Sequence, residues 1–397
     1  MLKDADIIVF GTDYGRHPDC VQRIITVLAE TNRVLWVNSV GKRTPRLSRY
    51  DLRRSITKAL DVLTQPRSVN PRIVAVSPAA LPLYRSRLWR GINRRIIGSI
   101  VRRKMQSLGF RKPIMVVSVP TAVEYADAIP HCLLVAYYMD NYAEMPFVNR
   151  ALMREMEGKL LSGSDVSFVP SENLWREKHA LARRMIHIPH GVDVEHFQAA
   201  YLPAPAEMKK IPRPVAGYVG AMHACLDLDL IRDAAKALPG YSFVLIGNIE
   251  EGVFGAHKPR NIFILGRKPY EVVPAYTNAF DVGLIPYTMD AFTRYVNPAK
   301  LIEYLACGLP VVSRPLHDVL QYGNRLVHTA ESADDFIAAI ERAVREDSPS
   351  LREERKQFAR ENSWRARAET FSQEVLRVLD AKRSRPGSAP SRKDSRA

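Results

Sequence analysis

The sequence predicts an α/β protein of two domains, each built on a parallel, doubly wound sheet. Short apolar runs of strand length alternate with longer amphipathic runs from one end of the chain to the other. The apolar runs are continuous, as in strands covered on both faces. The 397 residues are many for one core, and the Pro- and Ala-rich stretch 199–214 interrupts the alternation without periodicity of its own. Residues 1–198 are therefore expected to form one domain, 199–214 a linker and 215–362 a second domain.

Expected strands of the first domain are 5–11, 33–40, 72–78, 113–120, 133–140, 165–171 and 185–191. Helical patterns at 20–30 and 151–161 fall between them. The second domain repeats the plan with strands at 214–220, 241–247, 261–266, 281–287, 310–314 and 325–330, and helices at 227–238, 270–279 and 298–307. Such alternation is the mark of βαβ units. Helical stretches near 349–362 and 364–382 close the chain. A helix over 363–381 is expected to pack back on the first domain, and the basic segment 382–397, without apolar content, to be disordered.

The net charge of +16 is concentrated at the beginning: residues 1–110 hold 21 Lys and Arg against 7 Asp and Glu. That excess suits an anionic partner. Four scattered cysteines, Cys20, Cys132, Cys225 and Cys307, show no metal-ligand spacing and imply a reducing compartment. No apolar run is long enough to span a bilayer. MLKDADIIVFG, acidic before its first apolar run, reads as a buried strand and not a secretory leader. A cytoplasmic protein is expected.

Two α/β domains in series suggest ligands at the carboxyl ends of the strands, in a central cleft. Fold alone does not assign chemistry. The nicotinamide reading is weak because no G-x-G-x-x-G follows a strand; GTDYG (11–15) is a different pattern. The richest stretch is YVNPAKLIEYLACGLPVVSR (295–314). Asn297 is expected to cap a short helix, Pro298 to take its first position and Gly308 to end it. The exposed N–H groups of that helix suit a diphosphate. Lys300 and Glu303, three apart, share a face; the first suits phosphate and the second a ribose diol. Read alone, the pair equally fits a plain surface helix.

The stretch resembles the signature of GT-B glycosyltransferases of the group 1, family 4-like type, in which a glutamate before a small-Gly-x-Pro-Val-Val turn holds the donor ribose. Glu303 and ACGLPVV (306–312) occupy those places. HIPHGVDVEHF (187–197), GYVGAM (217–222) and LGRKPYEVVPAYTNAFDVGLIPY (265–287) are similar to further segments of the family. The resemblance implies a GT-B fold, two Rossmann-like domains facing a cleft, and a nucleotide-diphosphate sugar as donor, with a UDP-sugar favoured. It implies donor contacts at Gly220, Ala221, Gly247, Lys268, Asn297, Lys300, Leu301 and Glu303. Two features differ. Tyr295 stands where many members carry a second glutamate, and AMHACLDLDL (221–230) replaces their Arg and Lys. The pattern N-P-x-K-L-x-E-Y is similar to a subgroup associated with teichuronic acid synthesis and, more distantly, to glucuronosyltransferases of exopolysaccharide synthesis.

Asp140, at the end of the run 133–140, suits a general base for an acceptor hydroxyl; by the resemblance, an inverting enzyme would use it so. In a retaining enzyme it would position the acceptor, and as a plain strand-end residue it would hold a loop. Gly11, Asp13 and Tyr14 are acceptor-side candidates. His190 and Gly191 read as hinge geometry before the linker. No D-x-D loop is poised for a metal; DLD (227–229) reads as a helix start. Lys300, Lys268 and helix N–H groups would meet the diphosphate charge without a cofactor.

The run 85–110 is amphipathic, with Leu88, Ile92, Ile96 and Ile100 at helical spacing and Trp89, Ile97 and Val101 widening the face. The stripe is expected to pack on the sheet while arginines, joined by the basic run 42–58, meet an anionic membrane surface. The expected partners are thus a sugar-nucleotide donor, a lipid-linked or saccharide acceptor and the inner face of the plasma membrane, with no nucleic acid. Two other readings stand beside this one. A nucleic-acid-binding protein explains the charge but not the 295–314 helix, and a non-catalytic sugar-nucleotide-binding protein would fit Tyr295.

Overall fold

A computed structural model describes residues 1–15, 18–38, 70–78, 86–145, 148–198, 203–220, 225–248, 253–255 and 258–384. The basic run 42–58, Ala221 and most of the tail lie outside the described residues. The chain divides into two compact units. Unit 1 comprises Met1–Val169, Trp175–Ile188 and Ala368–Ala397, and unit 2 comprises Pro170–Leu174 and Pro189–Arg367.

Unit 1 is a seven-stranded sheet of β1 (Asp6–Gly11), β2 (Arg33–Asn38), β3 (Ile73–Val76), β4 (Ile114–Val117), β5 (Leu133–Tyr137), β6 (Val166–Val169) and β7 (Met185–His187). Its order is β3-β2-β1-β4-β5-β6-β7, every pair parallel. Strand order reverses between β1 and β4, which places a switch point at Gly11 and Ser118. The central strands are buried along their length, which is why they read as unbroken apolar runs.

The helix Arg87–Ser107 buries Ile97, Val101 and Met105. Gly98 allows it to lie against Ala128, since a methyl group at 98 would sit 3.0 Å from the Ala128 Cβ. Only part of the expected stripe is packed: Ile97 and Val101, which widen it, are buried, while Leu88 is 70% exposed and Ile96 39%. From Ala368 onward the helix Trp364–Arg383 belongs to unit 1. There Phe371 packs on Phe168 at 4.6 Å, and Glu374 accepts from Arg184 Nε at 2.9 Å. This helix continues through Lys382 and Arg383.

Unit 2 repeats the design with β8 (Val215–Val219), β9 (Ser242–Ile246), β10 (Ile262–Gly266), β11 (Val282–Ile285), β12 (Val311–Ser313) and β13 (Val327–Thr329), in the order β10-β9-β8-β11-β12-β13. Its pairs are likewise parallel. Residues 203–214 lie within this unit, where Met208 and Ile211 join the core. A helix that the alternation did not reveal, Ala333–Arg345, packs Phe336, Ala339, Ile340 and Ala343 against the sheet. A capping box between Ser332 and Asp335 starts it.

All four thiols are free, with Cys20 and Cys225 buried and Cys132 and Cys307 half-buried. Burial pushes each of them up.

One buried ion pair supports the part of unit 2 that matters most below. Arg355 is 2% exposed. Its Nη1 donates to Asp347 Oδ1 at 2.7 Å and to the Gly308 carbonyl at 3.1 Å. Arg352 Nε also donates to Asp347, at 2.6 Å, so losing Arg355 leaves that carboxylate paired but takes the donor from the buried Gly308 carbonyl. Arg355→Ala is expected to destabilise unit 2 by about 1–3 kcal/mol in urea denaturation. A change under about 0.5 kcal/mol, the scale of surface substitutions, would show that the pair supports nothing.

Candidate active site

The helix Ala299–Ala306 carries Lys300 and Glu303. Its start corrects the expected cap. Pro298, extended at φ −76° and ψ 108°, is the capping residue, with no side-chain cap. Asn297 precedes it with its side chain buried instead of turned to the helix. The Pro298 carbonyl accepts from Leu301 N–H at 3.0 Å. The C-terminal stop is as the spacing predicts. Gly308 adopts φ +78°, its N–H reaches the Leu305 carbonyl at 2.9 Å, and Leu309 N–H reaches Tyr304 at 3.0 Å. That double closure is the Schellman arrangement. The Leu301 side chain is core, so only its backbone can face a ligand.

Lys300 lies over the carboxyl end of β8, where strand order reverses towards β11. A Cβ on Gly220 would sit 2.0 Å from the Lys300 Cε and 2.7 Å from the Tyr218 hydroxyl. The Lys300 ammonium stands 5.9 Å from the Tyr218 ring centre. Gly247, at φ +153°, faces the same point: a Cβ there would fall 1.7 Å from the Gly220 carbonyl oxygen. Two glycines thus let two strand ends and a lysine converge. Tyr304 anchors the helix from below, its hydroxyl accepting from Val219 N–H at 2.9 Å. Burial raises the phenols of Tyr218, Tyr287 and Tyr304, and the Glu303 charge adds to the rise at Tyr287 and Tyr304. Glu303 is half-buried on this helix.

His190 also belongs here. Its Nδ1 is fully enclosed and has no hydrogen-bond partner among the described residues, and the ring is partly accessible elsewhere. Burial, then Arg367 and Lys300, hold it down at about 4, so it is a neutral imidazole beside the lysine at neutral pH. Gly191 next to it packs against the 363–364 backbone, 2.9 Å from a would-be Cβ. Lys268 is engaged elsewhere: its ammonium meets Glu207 at 2.7 Å and the Tyr276 ring at 5.1 Å. Asn297 Nδ2 is buried without a partner among the described residues. Ala221 is outside them.

In unit 1 the second switch point gathers a different group. Gly11 ends β1, where any side chain would strike Trp36 at 2.3 Å. Trp36 Nε1 donates to the Thr12 carbonyl at 2.9 Å, and Tyr14 packs on Trp36 at 5.4 Å. The Asp13 carbonyl accepts from Gln22 Nε2 at 3.3 Å, so the 11–15 loop is pinned to the following helix. Asp140 lies three residues past β5, and its carbonyl accepts from Tyr142 N–H at 2.8 Å. The Tyr142 hydroxyl donates to Ser118 O at 2.8 Å. Burial raises both the Cys20 thiol and the Tyr142 phenol, and Asp19 and Asp140 each add to both rises. Two carboxylates thus share one neighbourhood. Asp19 escaped the sequence reading; its position before the apolar helix Cys20–Leu28 is the N-cap signal that could have found it. Tyr218 was detectable as a phenol in an apolar strand, which needs a partner when buried.

Two Rossmann-like parallel sheets place the chain in the GT-B class of fold. Within it, residues 213–346 match the family model described as glycosyl transferases group 1, so the chain carries a group 1 glycosyl transferase domain. Over 228 residues it is 27% identical to the putative teichuronic acid biosynthesis glycosyltransferase TuaH of Bacillus subtilis (strain 168). That match takes in 54% of this chain and 57% of the relative, little more than half of each. Sucrose-phosphate synthase from Thermosynechococcus elongatus superposes with a TM-score of 0.69 at 15% identity, covering 95% of this chain and 100% of that one. HepE of Anabaena, in complex with UDP and glucose, gives 0.63 at 13%, covering 94% and 99%. Both likenesses bear on the fold.

The depressed His190 gives unit 2 a pH dependence. An unfolded histidine titrates near 6.5, so below that the unfolded chain binds a proton that the folded one refuses. His190 therefore costs no stability above pH 6.5, and stability is lost as pH falls towards 4. His190→Asn is expected to flatten that slope in denaturation measured from pH 7 to 4. An unaltered slope would show that His190 is not the titrating group.

Proposed function

We propose that this chain transfers a sugar from a nucleotide-diphosphate sugar, a UDP-sugar, to a saccharide or lipid-linked acceptor in cell-surface polysaccharide synthesis. The observation that carries the proposal is Lys300 held against Gly220 at the switch point of the matched domain. There a cation, the first N–H groups of a helix and Glu303 offer a diphosphate and a ribose what each requires. The Anabaena structure with UDP and glucose and the named role of the Bacillus relative support the donor and the pathway class.

In this reading Lys300 and the helix N–H groups neutralise the diphosphate without a metal. Glu303 accepts hydrogen bonds from the ribose diol, Gly220 and Gly247 let the donor approach the backbone, and Asn297 offers its buried amide. Lys268 steadies the neighbouring loop through Glu207. The acceptor lies against Gly11, Asp13 and Tyr14. In an inverting transfer Asp140 takes the proton of the attacking hydroxyl; in a retaining transfer it orients that hydroxyl. The basic helix Arg87–Ser107 supports a peripheral position on the inner face of the plasma membrane. Among the described residues no helix is long and apolar enough to cross a membrane.

A panel of UDP- and GDP-sugars tested for protection against thermal unfolding identifies the donor, and transfer is then assayed with that donor. Lys300→Ala and Glu303→Ala are each expected to weaken donor binding at least about tenfold, the loss of one charged hydrogen bond. Asp140→Asn is expected to cut turnover by about 10²–10⁴, the range of general-base catalysis, with donor affinity kept. Normal turnover in Asp140→Asn would remove it as the base. Donor binding with no transfer to any acceptor would favour a binding protein, for which Tyr295 in the glutamate position speaks.

A further inference from the structure

Unit 1 contains a cavity that neither the donor cluster nor Asp140 uses. It encloses about 670 Å³ beside the helix Arg87–Ser107. Leu134, the second residue of β5, lines it, as does Asp165 just before β6. It therefore lies at the amino ends of these strands. Asp140 follows the carboxyl end of β5, at least roughly 10 Å of strand away.

Its walls carry six cations, Arg87, Arg90, Arg94, Lys159, Arg183 and Lys382, against three carboxylates, Glu124, Asp127 and Asp165. Two of the ion pairs are close: Arg90 with Glu124 at 2.8 Å and Lys382 with Asp165 at 2.7 Å. The other two are loose, Arg94 with Asp127 at 3.6 Å and Arg183 with Asp165 at 3.8 Å. Lys159 is paired with Glu155, outside the lining, at 2.5 Å, so two positive charges are left in excess, on side chains that a small anion could draw inward. The chemistry that suits such a space is a phosphate on a headgroup-sized body.

The surroundings identify the source of that phosphate. A second, smaller hollow of about 490 Å³ adjoins it, lined by Arg87, Leu88, Ile92, Arg94 and Arg95 among others. Leu88, Ile92 and Ile96 recur every four residues on the side of the helix turned away from the sheet, with Leu88 and Ile96 exposed. A soluble phosphate ligand has no use for an exposed apolar stripe beside its site. A lipid does: the headgroup needs cations and the acyl edge needs apolar side chains.

We propose that this cavity receives the phosphate of an anionic phospholipid, with Leu88, Ile92 and Ile96 entering the acyl edge beside it. The proposal rests on the membrane-surface reading above and gives that reading a specific headgroup site. It separates the membrane contact from the acceptor contact, since Asp140 and the cavity occupy opposite ends of β5.

Sedimentation of the full chain with phosphatidylglycerol/phosphatidylcholine vesicles tests it, with phosphatidylcholine vesicles as the blank. The double variant Arg87→Ala/Arg94→Ala removes two cavity charges. Arg111→Ala/Lys112→Ala removes two exposed charges away from the cavity lining. The first pair is expected to lower vesicle affinity at least about tenfold, the scale of two basic groups at a membrane, and the second pair by a few-fold at most. Equal losses in both pairs would overturn the cavity while leaving general membrane attraction in place. No binding by the unaltered chain would overturn both. Protection of the unaltered chain against thermal unfolding by glycerol phosphate, lost in Arg87→Ala/Arg94→Ala, would assign the cavity to a soluble phosphate and overturn the lipid source. The helical circular-dichroism signal and thermal midpoint of each variant, unchanged from those of the unaltered chain, show that unit 1 is intact.

Discussion

Unit 2 is organised around a place where no side chain can grow. The carboxyl ends of β8 and β9 approach so closely that Gly220 and Gly247 leave no room for a methyl group, and the Lys300 side chain occupies what remains. Strand order reverses at this point, so the helices on either side diverge and open the sheet end. Three contacts around it hold the helix and its exit in place. Tyr304 ties the helix to β8, the Schellman turn at Gly308 sends the chain straight into β12, and Arg355 grips the turn from behind. A flexible cation is thereby delivered to a rigid backbone, the arrangement an anionic ligand needs if it is to be bound without reorganising its host.

Most of this architecture could be read from residue order. The thirteen strands among the described residues lie where continuous apolar runs announce them, because strands covered on both faces must be apolar on both. The stop at Gly308 was legible because only glycine takes that backbone angle easily. The helix starts one residue later than the sequence predicts. Asn297 is a good capping residue by type, but here its side chain is drawn into the interior, and tertiary burial outweighed local preference. The helix Ala333–Arg345 is absent from the alternation of apolar runs and is announced only by Ser332 and Asp335 at its start.

The site was legible in parts. Lys300 and Glu303 are neighbours in sequence and so could be paired on one helix face. Lys268 and Glu207 are not, and their ion pair across 61 residues could not have been anticipated. The same holds for Asp19 and Asp140, which act on one thiol and one phenol from distant segments. In the helix Arg87–Ser107 periodicity showed an apolar stripe but could not say which side meets the sheet. Several residues qualified, and the small Gly98 decided it by allowing close approach to Ala128.

The four shielded thiols bear on how this molecule can be handled. A sulfhydryl must ionise before it attacks an alkylating reagent or a peroxide, and burial holds all four in the un-ionised form, at Cys20 with two carboxylates adding to the effect. Ionisation of the native thiols is thus disfavoured at neutral pH. A cysteine introduced on the surface of either unit would ionise more readily than these, so a maleimide dye or spin label would react with it faster.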